Sequence, residues 1–426
     1  LRRAWDGLSG NLLMIDAASF RPKASWVRLF AILGLTAIAA LSGCTPPPPP
    51  PPKVVAPPPP VAGNPLDKDL PSYLRLPNTP PGVTPVRVGV ILPFTSTNPA
   101  TRNLAAAMLK SASLALFDGG NSNILLITAD EGSGPDTAGA AAVKLLGQGA
   151  EIIVGPLFGP SVAAVAPIAR DRGIPVLAFS TERSVAGNGV YLLSFLPQSE
   201  VKRVVNYAAS QGRHNFAAMV PQTPYGDVIS AAFTDAVKSA GATMVDIERF
   251  TPSTNTVMAP SAAIAKSNAD VVMIAQGGGV LRAIAPSLAF NGLDPSKVKL
   301  LGTGLWDDPS VVKEQALTGG WFAAPEPNAD NTFNDKYRAV YGAAPPQLAS
   351  LAYDAVSLVA LMSNGTPYHR FTSTALMDPN GFGGVNGIFR FNADGTSERG
   401  LAVLEVQADG FHVASPAPRT FQSNSF

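Results

Sequence analysis

The sequence predicts an α/β protein built as two Rossmann-like lobes of similar construction with parallel sheets. Three observations support this. From Val86 onward, short continuously apolar stretches alternate with segments of helical periodicity, the pattern of strands covered on both faces. The rhythm breaks at Pro197 and then begins again. No short tandem repeat runs through the chain, so the halves are lobes of one domain and not units of an array.

The elements follow in order. Val86 to Leu92 has strand character, and Asn103 to Phe117 reads as a helix with Leu104, Met108, Leu109, Ala112, Ala115 and Leu116 on one side. Ile124 to Thr128 is a strand, Thr137 to Gln148 a helix, and Glu151 to Gly155 a third strand. A helix over Ser161 to Arg170 and a strand over Pro175 to Phe179 complete the first run. The second run starts with a helix over Val201 to Ser210 and a strand over Ala217 to Val220. A helix over Val228 to Gly241 ends on its glycine. Strands follow at Thr243 to Phe250, Val271 to Ala275 and Val298 to Gly302, separated by helices at Ala259 to Ser267 and Leu281 to Phe290. Gly320-Trp321-Phe322 begins a crossover, and helices run over Thr332 to Tyr341 and Leu348 to Met362.

Ahead of the lobes lies a basic segment (Arg21, Lys23, Arg28), an apolar run from Leu29 to Leu41, and Leu41-Ser42-Gly43-Cys44. That order reads as a secretory signal over residues 1–43, with Met14 a plausible native start. At about 13 residues the apolar run is short of the roughly 20 that span a bilayer. Pro46 to Pro52 and Pro57 to Pro60 open a proline-rich linker over 44–85. Proline fixes φ and removes a donor, so the stretch is expected to be an extended spacer and not helix or sheet. About 40 residues at roughly 3.1 Å each reach at most on the order of 120 Å. The globular domain occupies 86–426.

Composition removes several function classes. Cys44 is the single cysteine, so the chain has no intramolecular disulfide and, beyond Cys44, no thiol nucleophile. The net charge of +1, with no Lys/Arg run in the globular region, argues against a nucleic-acid surface. The three histidines, His214, His369 and His412, are not at ligand spacing, so no metal site and no cofactor is expected. Gly-x-Ser-x-Gly, Gly-x-x-x-x-Gly-Lys and His-Glu-x-x-His are all missing, and the protein is not expected to be an enzyme.

Several pieces carry a resemblance. Leu-Ser-Gly-Cys resembles the lipobox of bacterial lipoproteins, which implies lipidation of Cys44. Val88-Gly89-Val90-Ile91-Leu92-Pro93, Ile153-Val154-Gly155-Pro156-Leu157, Gly173-Ile174-Pro175-Val176-Leu177, Tyr225-Gly226 and the Gly387 to Gly395 hairpin are similar, in order and spacing, to the type I periplasmic-binding fold, the leucine/isoleucine/valine-binding group in particular. The resemblance runs from Val86 to about Val413. It implies a ligand cleft between the lobes, with crossovers near Leu196-Pro197, Trp321 to Pro327 and Gly384 to Gly387. Lobe 1 is then approximately 86–196 with 327–384, and lobe 2 approximately 197–321 with 387–413. Ligands in such sheets sit outside the carboxyl ends of strands.

The amino-acid clamp of that group is mostly missing. Gly159 stands where a serine run begins, and Gly304 where an ammonium-binding glutamate is implied. Tyr225 is retained. Ser161, Ser180 and Thr181 could rebuild a carboxylate site, and Asp307 or Asp308 could replace the acid. Ser180-Thr181-Glu182 reads equally as a polar turn capping the next helix, and Asp308-Pro309 as a helix start.

Two functions remain. With its lipobox, proline spacer and eroded clamp, the chain resembles penicillin-binding protein activators, lipoproteins that stimulate peptidoglycan synthases. Thr45 after Cys44 points to the periplasmic face of the outer membrane. The alternative is the solute-binding protein of an ABC importer for branched-chain amino acids or related amides, whose partner is the permease.

Overall fold

The computed structural model describes residues 73–76 and 84–422, all within one compact unit spanning 62–426. The signal, Cys44 and the proline runs lie outside the described residues.

In the first lobe, β1 (Tyr73–Arg75) and β2 (Val86–Leu92) precede α1 (Pro99–Gly119). Then come β3 (Ile124–Asp130), α2 (Pro135–Gly147), β4 (Ile152–Val154), α3 (Gly159–Arg170), β5 (Val176–Ala178) and β6 (Val190–Leu192). The sheet order is β1-β3-β2-β4-β5-β6, parallel except for β1. The strand order reverses between β2 and β4, so the loops after these strands open the crevice at their carboxyl ends.

The second lobe repeats this plan. It holds α4 (Pro197–Ser210), β7 (Asn215–Pro221), α5 (Pro224–Ser239), β8 (Thr243–Phe250), α6 (Met258–Lys266), β9 (Val271–Ile274), α7 (Gly278–Phe290), β10 (Lys299–Gly302) and β11 (Trp321–Ala324). The chain returns to the first lobe for α8 (Asn331–Tyr341), α9 (Ala349–Met362) and the short α10 (Ser373–Leu376). A small antiparallel sheet follows: β12 (Phe382–Gly384), β13 (Gly387–Phe391) and β14 (Ser397–Arg399). Finally β15 (Ala402–Gln407) and β16 (Gly410–Ser415) complete the second-lobe sheet, ordered β16-β15-β11-β10-β9-β7-β8.

Each sheet is covered on both faces. In the first lobe, residues of α1 and α9 bury one face and residues of α2 and α3 the other. In the second lobe, α4 and α5 cover one face and α6 and α7 the other. This double cover is why the strands read as unbroken apolar runs.

Four expectations need correction. The linker is not free of sheet up to Pro85: Tyr73–Arg75 pairs antiparallel with β3, and Leu74 and Leu76 pack against the first-lobe core. Ser72 to Leu76 is free of proline, so the donors and the apolar side chains needed at a sheet edge are present. Trp321 to Ala324 is not the start of a crossover but a strand between β10 and β15; the passage back to the first lobe lies after Ala324. The third crossover is not near Gly384 to Gly387. Phe389 and Phe391 belong to the first-lobe core and Leu401 and Ala402 to the second, so the chain crosses at Gly400-Leu401. No α-helix starts at Asp308-Pro309, where short 3-10 turns at Gly304–Trp306 and Val311–Lys313 stand instead.

The hinge is tied by a buried arginine. Arg399 Nε donates to the Ser194 carbonyl at 3.2 Å, and its guanidinium lies 4.6 Å from the Phe195 ring. It faces Asp354 across 3.7 Å, and both side chains are almost fully buried. Burial raises the Asp354 carboxyl to about 6, against the opposing pull of Arg399.

Candidate functional site: the cleft between the lobes

A cavity of about 230 Å³ lies between the lobes, next to the crossovers. Phe195, Pro325 and Leu401 come from or beside the three crossovers, Gln347 and Leu348 from the approach to α9, and Glu200, Tyr225, Leu305 and Asp307 from the second lobe. The volume is below the roughly 300–1,000 Å³ of drug-sized sites and suits a small solute.

Local structure places the second-lobe groups. Tyr225 sits in the first turn of α5, whose start is fixed by the Thr223 hydroxyl accepting from the Gly226 amide at 3.2 Å. The Tyr225 hydroxyl is 2.8 Å from Thr303 Oγ1, and burial raises its pKa. Trp306 is fully buried and donates from Nε1 to the Gln276 carbonyl at 3.2 Å. That anchor fixes the loop from Thr303 to Asp308, whose Gly304, Leu305 and Asp307 line the cavity.

Glu200, in the first turn of α4, is the acid that sequence reasoning missed. One carboxylate oxygen accepts the Gly304 amide at 2.8 Å. A Cβ built on Gly304 would lie 2.8 Å from the other oxygen. Glu200 therefore fills the space that a side chain at 304 would need. Burial pushes its carboxyl from 4.5 up to about 7, with the charge of Asp307 adding and the Gly304 amide opposing. Glu200 lies about a hundred positions from Gly304 in sequence, beyond the reach of any local motif.

The first-lobe loops after β3 and β4 are built differently, away from the cavity lining. Glu131, fully buried just beyond β3, accepts the Leu157 and Phe158 amides at 2.9 and 3.1 Å. The Ser161 hydroxyl bonds to the same carboxyl, which burial holds above its ordinary value. Two amides of the loop that leads into α3 are thus already taken. Glu182 packs on Gly159 so closely that a Cβ there would come within 1.9 Å of its carboxylate.

The expected site residues separate accordingly. Tyr225 and Asp307 line the cavity. Asp307 has its carboxyl raised, chiefly by desolvation at the cleft wall and further by Asp330 and Asp308. Asp308 is exposed and turned to a local role: it accepts the Ser310 amide at 2.7 Å, and this hydrogen bonding lowers its pKa. Ser161 is committed to Glu131, and buried Ser180 accepts the Glu182 amide at 3.0 Å in a turn. Thr181 is exposed beside it. These three do not line the cavity. Among the described residues no group of acids, histidines or cysteines could hold a metal, and no helix is long and apolar enough to cross a membrane.

The periplasmic binding protein family matches residues 85–410. The chain belongs to that family. Its fold is the type I periplasmic-binding fold, and the family is one of solute-binding proteins and not of enzymes. A protein from Rhodospirillum rubrum described as a branched-chain amino acid ABC transporter is 19% identical with a TM-score of 0.69, covering 77% of this chain and 99% of that one. A branched-chain amino acid ABC transporter periplasmic ligand-binding protein from Burkholderia xenovorans LB400 is 18% identical with a TM-score of 0.64, covering 79% and 97%. The branched-chain amino acid substrate-binding protein of Streptococcus pneumoniae, solved with isoleucine, is 18% identical with a TM-score of 0.55, covering 78% and 99%. These identities carry the fold alone. A curated relative, an uncharacterized protein of Rickettsia prowazekii (strain Madrid E), is 25% identical over 104 residues, 24% of this chain. That match spans 28% of the relative's length.

Proposed function

We propose that the protein captures a small solute between its lobes in the periplasm and hands it to an ABC-type permease. The observation that carries this reading is the cavity itself: residues near all three crossovers and from both sides of the cleft meet around one space. Closure of two hinged lobes on a ligand needs that arrangement. Glu200 also weakens the case for a dead cleft, because it supplies the acid that Gly304 lacks. The transport roles named for the Rhodospirillum and Burkholderia proteins agree with this reading.

Lipid anchoring at Cys44, on the outer membrane's inner leaflet, belongs to the same proposal. Its support is Leu41 to Cys44, Thr45 and the prolines that follow. Cys44→Ser is expected to move the protein from the detergent-extracted to the soluble fraction or to leave it unprocessed; unchanged fractionation would remove the anchor. The activator reading, with a peptidoglycan synthase as partner, keeps these N-terminal residues as its support.

Native mass spectrometry of the purified protein tests solute capture, with small-angle scattering as a second readout. A non-covalent small-molecule adduct that is lost in Tyr225→Ala, and compaction on ligand addition, are the expected results. No adduct, and no compaction with any solute tried, would return the activator reading to first place.

A further inference from the structure

We infer that the solute is a small organic amine without a carboxylate, its ammonium held by Glu200 and its hydrocarbon body by the apolar cleft wall. The inference rests on the solute-binding reading and names the ligand class for the same cavity.

The charges of the wall are the first observation. Glu200 and Asp307 are the ionisable carboxyls on it, Tyr225 and Gln347 supply neutral polar groups, and none of the lining residues is Lys or Arg. A carboxylate drawn into this space would face two acids and no counter-charge. An ammonium would find a partner, as a buried charge requires.

The second observation is the hydrogen-bonding state of Glu200. One oxygen is used by the Gly304 amide. The other has no hydrogen-bond partner among the described residues, and the residue lines the cavity. It is an acceptor left over for a ligand. Asp307 stands on the same loop as Gly304 and adds negative potential from the same side.

The third observation concerns the first lobe. There Glu131 takes the Leu157 and Phe158 amides and the Ser161 hydroxyl, and none of these residues lines the cavity. An α-amino acid bound by Glu200 would find no cationic side chain on the lining for its second charge. Phe195, Leu305, Leu348 and Leu401 give the hydrocarbon part of an amine an apolar surface.

Three matched probes separate the charges on one carbon skeleton: isopentylamine, leucine and 4-methylpentanoate. Calorimetry on the full chain is expected to show isopentylamine binding at least about tenfold tighter than leucine, with no binding of 4-methylpentanoate. Glu200→Gln keeps an oxygen for the Gly304 amide, and its thermal melt is expected to remain cooperative while amine affinity falls at least about tenfold. Asp307→Asn, whose side chain packs less, is the second variant and is expected to weaken the amine by a smaller factor. Leucine or 4-methylpentanoate binding as tightly as the amine overturns the inference. So does an amine affinity that Glu200→Gln leaves unchanged, or no amine binding at millimolar concentration. The solute-binding reading is judged separately, by the adduct in native mass spectrometry: a carboxylate-bearing adduct would keep that reading and remove this inference.

Discussion

At Gly159 in the first lobe and at Gly304 in the second, a glutamate from another segment occupies the space that a side chain would take. The two places nevertheless end in different states. In the first lobe, Glu131 is saturated by two amides and a hydroxyl, and Glu182 accepts from the Ser184 hydroxyl at 2.7 Å while exposed to solvent. In the second lobe, Glu200 uses one oxygen for the Gly304 amide, and the residue lines the cavity. Carboxylates tie up the first-lobe loops, while in the second lobe Glu200 lines the cavity. The lesson is that a missing side chain in a binding motif does not mean a missing group, since the group can come from another helix.

At Gly159 the disturbance is expected to be mild. Gly159→Ala puts a carbon within 1.9 Å of the far end of Glu182, an exposed side chain that can swing into solvent, and a loss of less than about 1 kcal/mol is expected in denaturant unfolding. A larger loss would show that Glu182 is held in its seat. The amine affinity should be little altered, because the second-lobe wall is untouched.

Gly304→Glu is expected to have the larger effect. It crowds and electrostatically opposes Glu200, and a loss of about 1–2 kcal/mol is expected. Adding Glu200→Ala should restore most of it, because the new acid then stands in the space that the old one filled. Additive losses in this double-mutant cycle would mean that the two positions do not share one space.

A smaller effect is the pH dependence of stability. The folded-state pKa of Glu200 is raised from 4.5 to about 7, so the folded protein binds the extra proton between these values. Its contribution to stability therefore falls as pH rises from about 4.5 to 7 and is level above that. Glu200→Gln lacks this term, so the melting temperature of the variant should gain on the wild type across the same window. Asp354, raised to about 6, acts in the same direction in both proteins and cancels in the difference. Parallel pH profiles would contradict the raised value.

Much of the fold was legible in the sequence because burial on both faces writes strands as apolar runs. Thr243–Phe250 was read with the bounds that the structure gives. Three-residue strands were harder. Val190–Leu192 follows Gly187-Asn188-Gly189 and carries too few residues for a period, and Tyr73–Arg75 hides among prolines. The Phe389 and Phe391 hairpin was recognised, but its lobe was not, because alternation in a hairpin does not say which core receives it. Within the site, Tyr225 and Asp307 were legible from local motifs. Glu200 and Glu131 were not, since each acts on a loop that only the tertiary fold brings near.

The carboxyl-carbon NMR titration of Glu200, free and with isopentylamine, tests the central contrast most directly. The account predicts a midpoint of about 7 in the free protein that drops when the amine binds, because the ammonium favours the ionised form. A midpoint near 4.5 that ignores the amine would show that the second-lobe wall holds no carboxyl waiting for a cation.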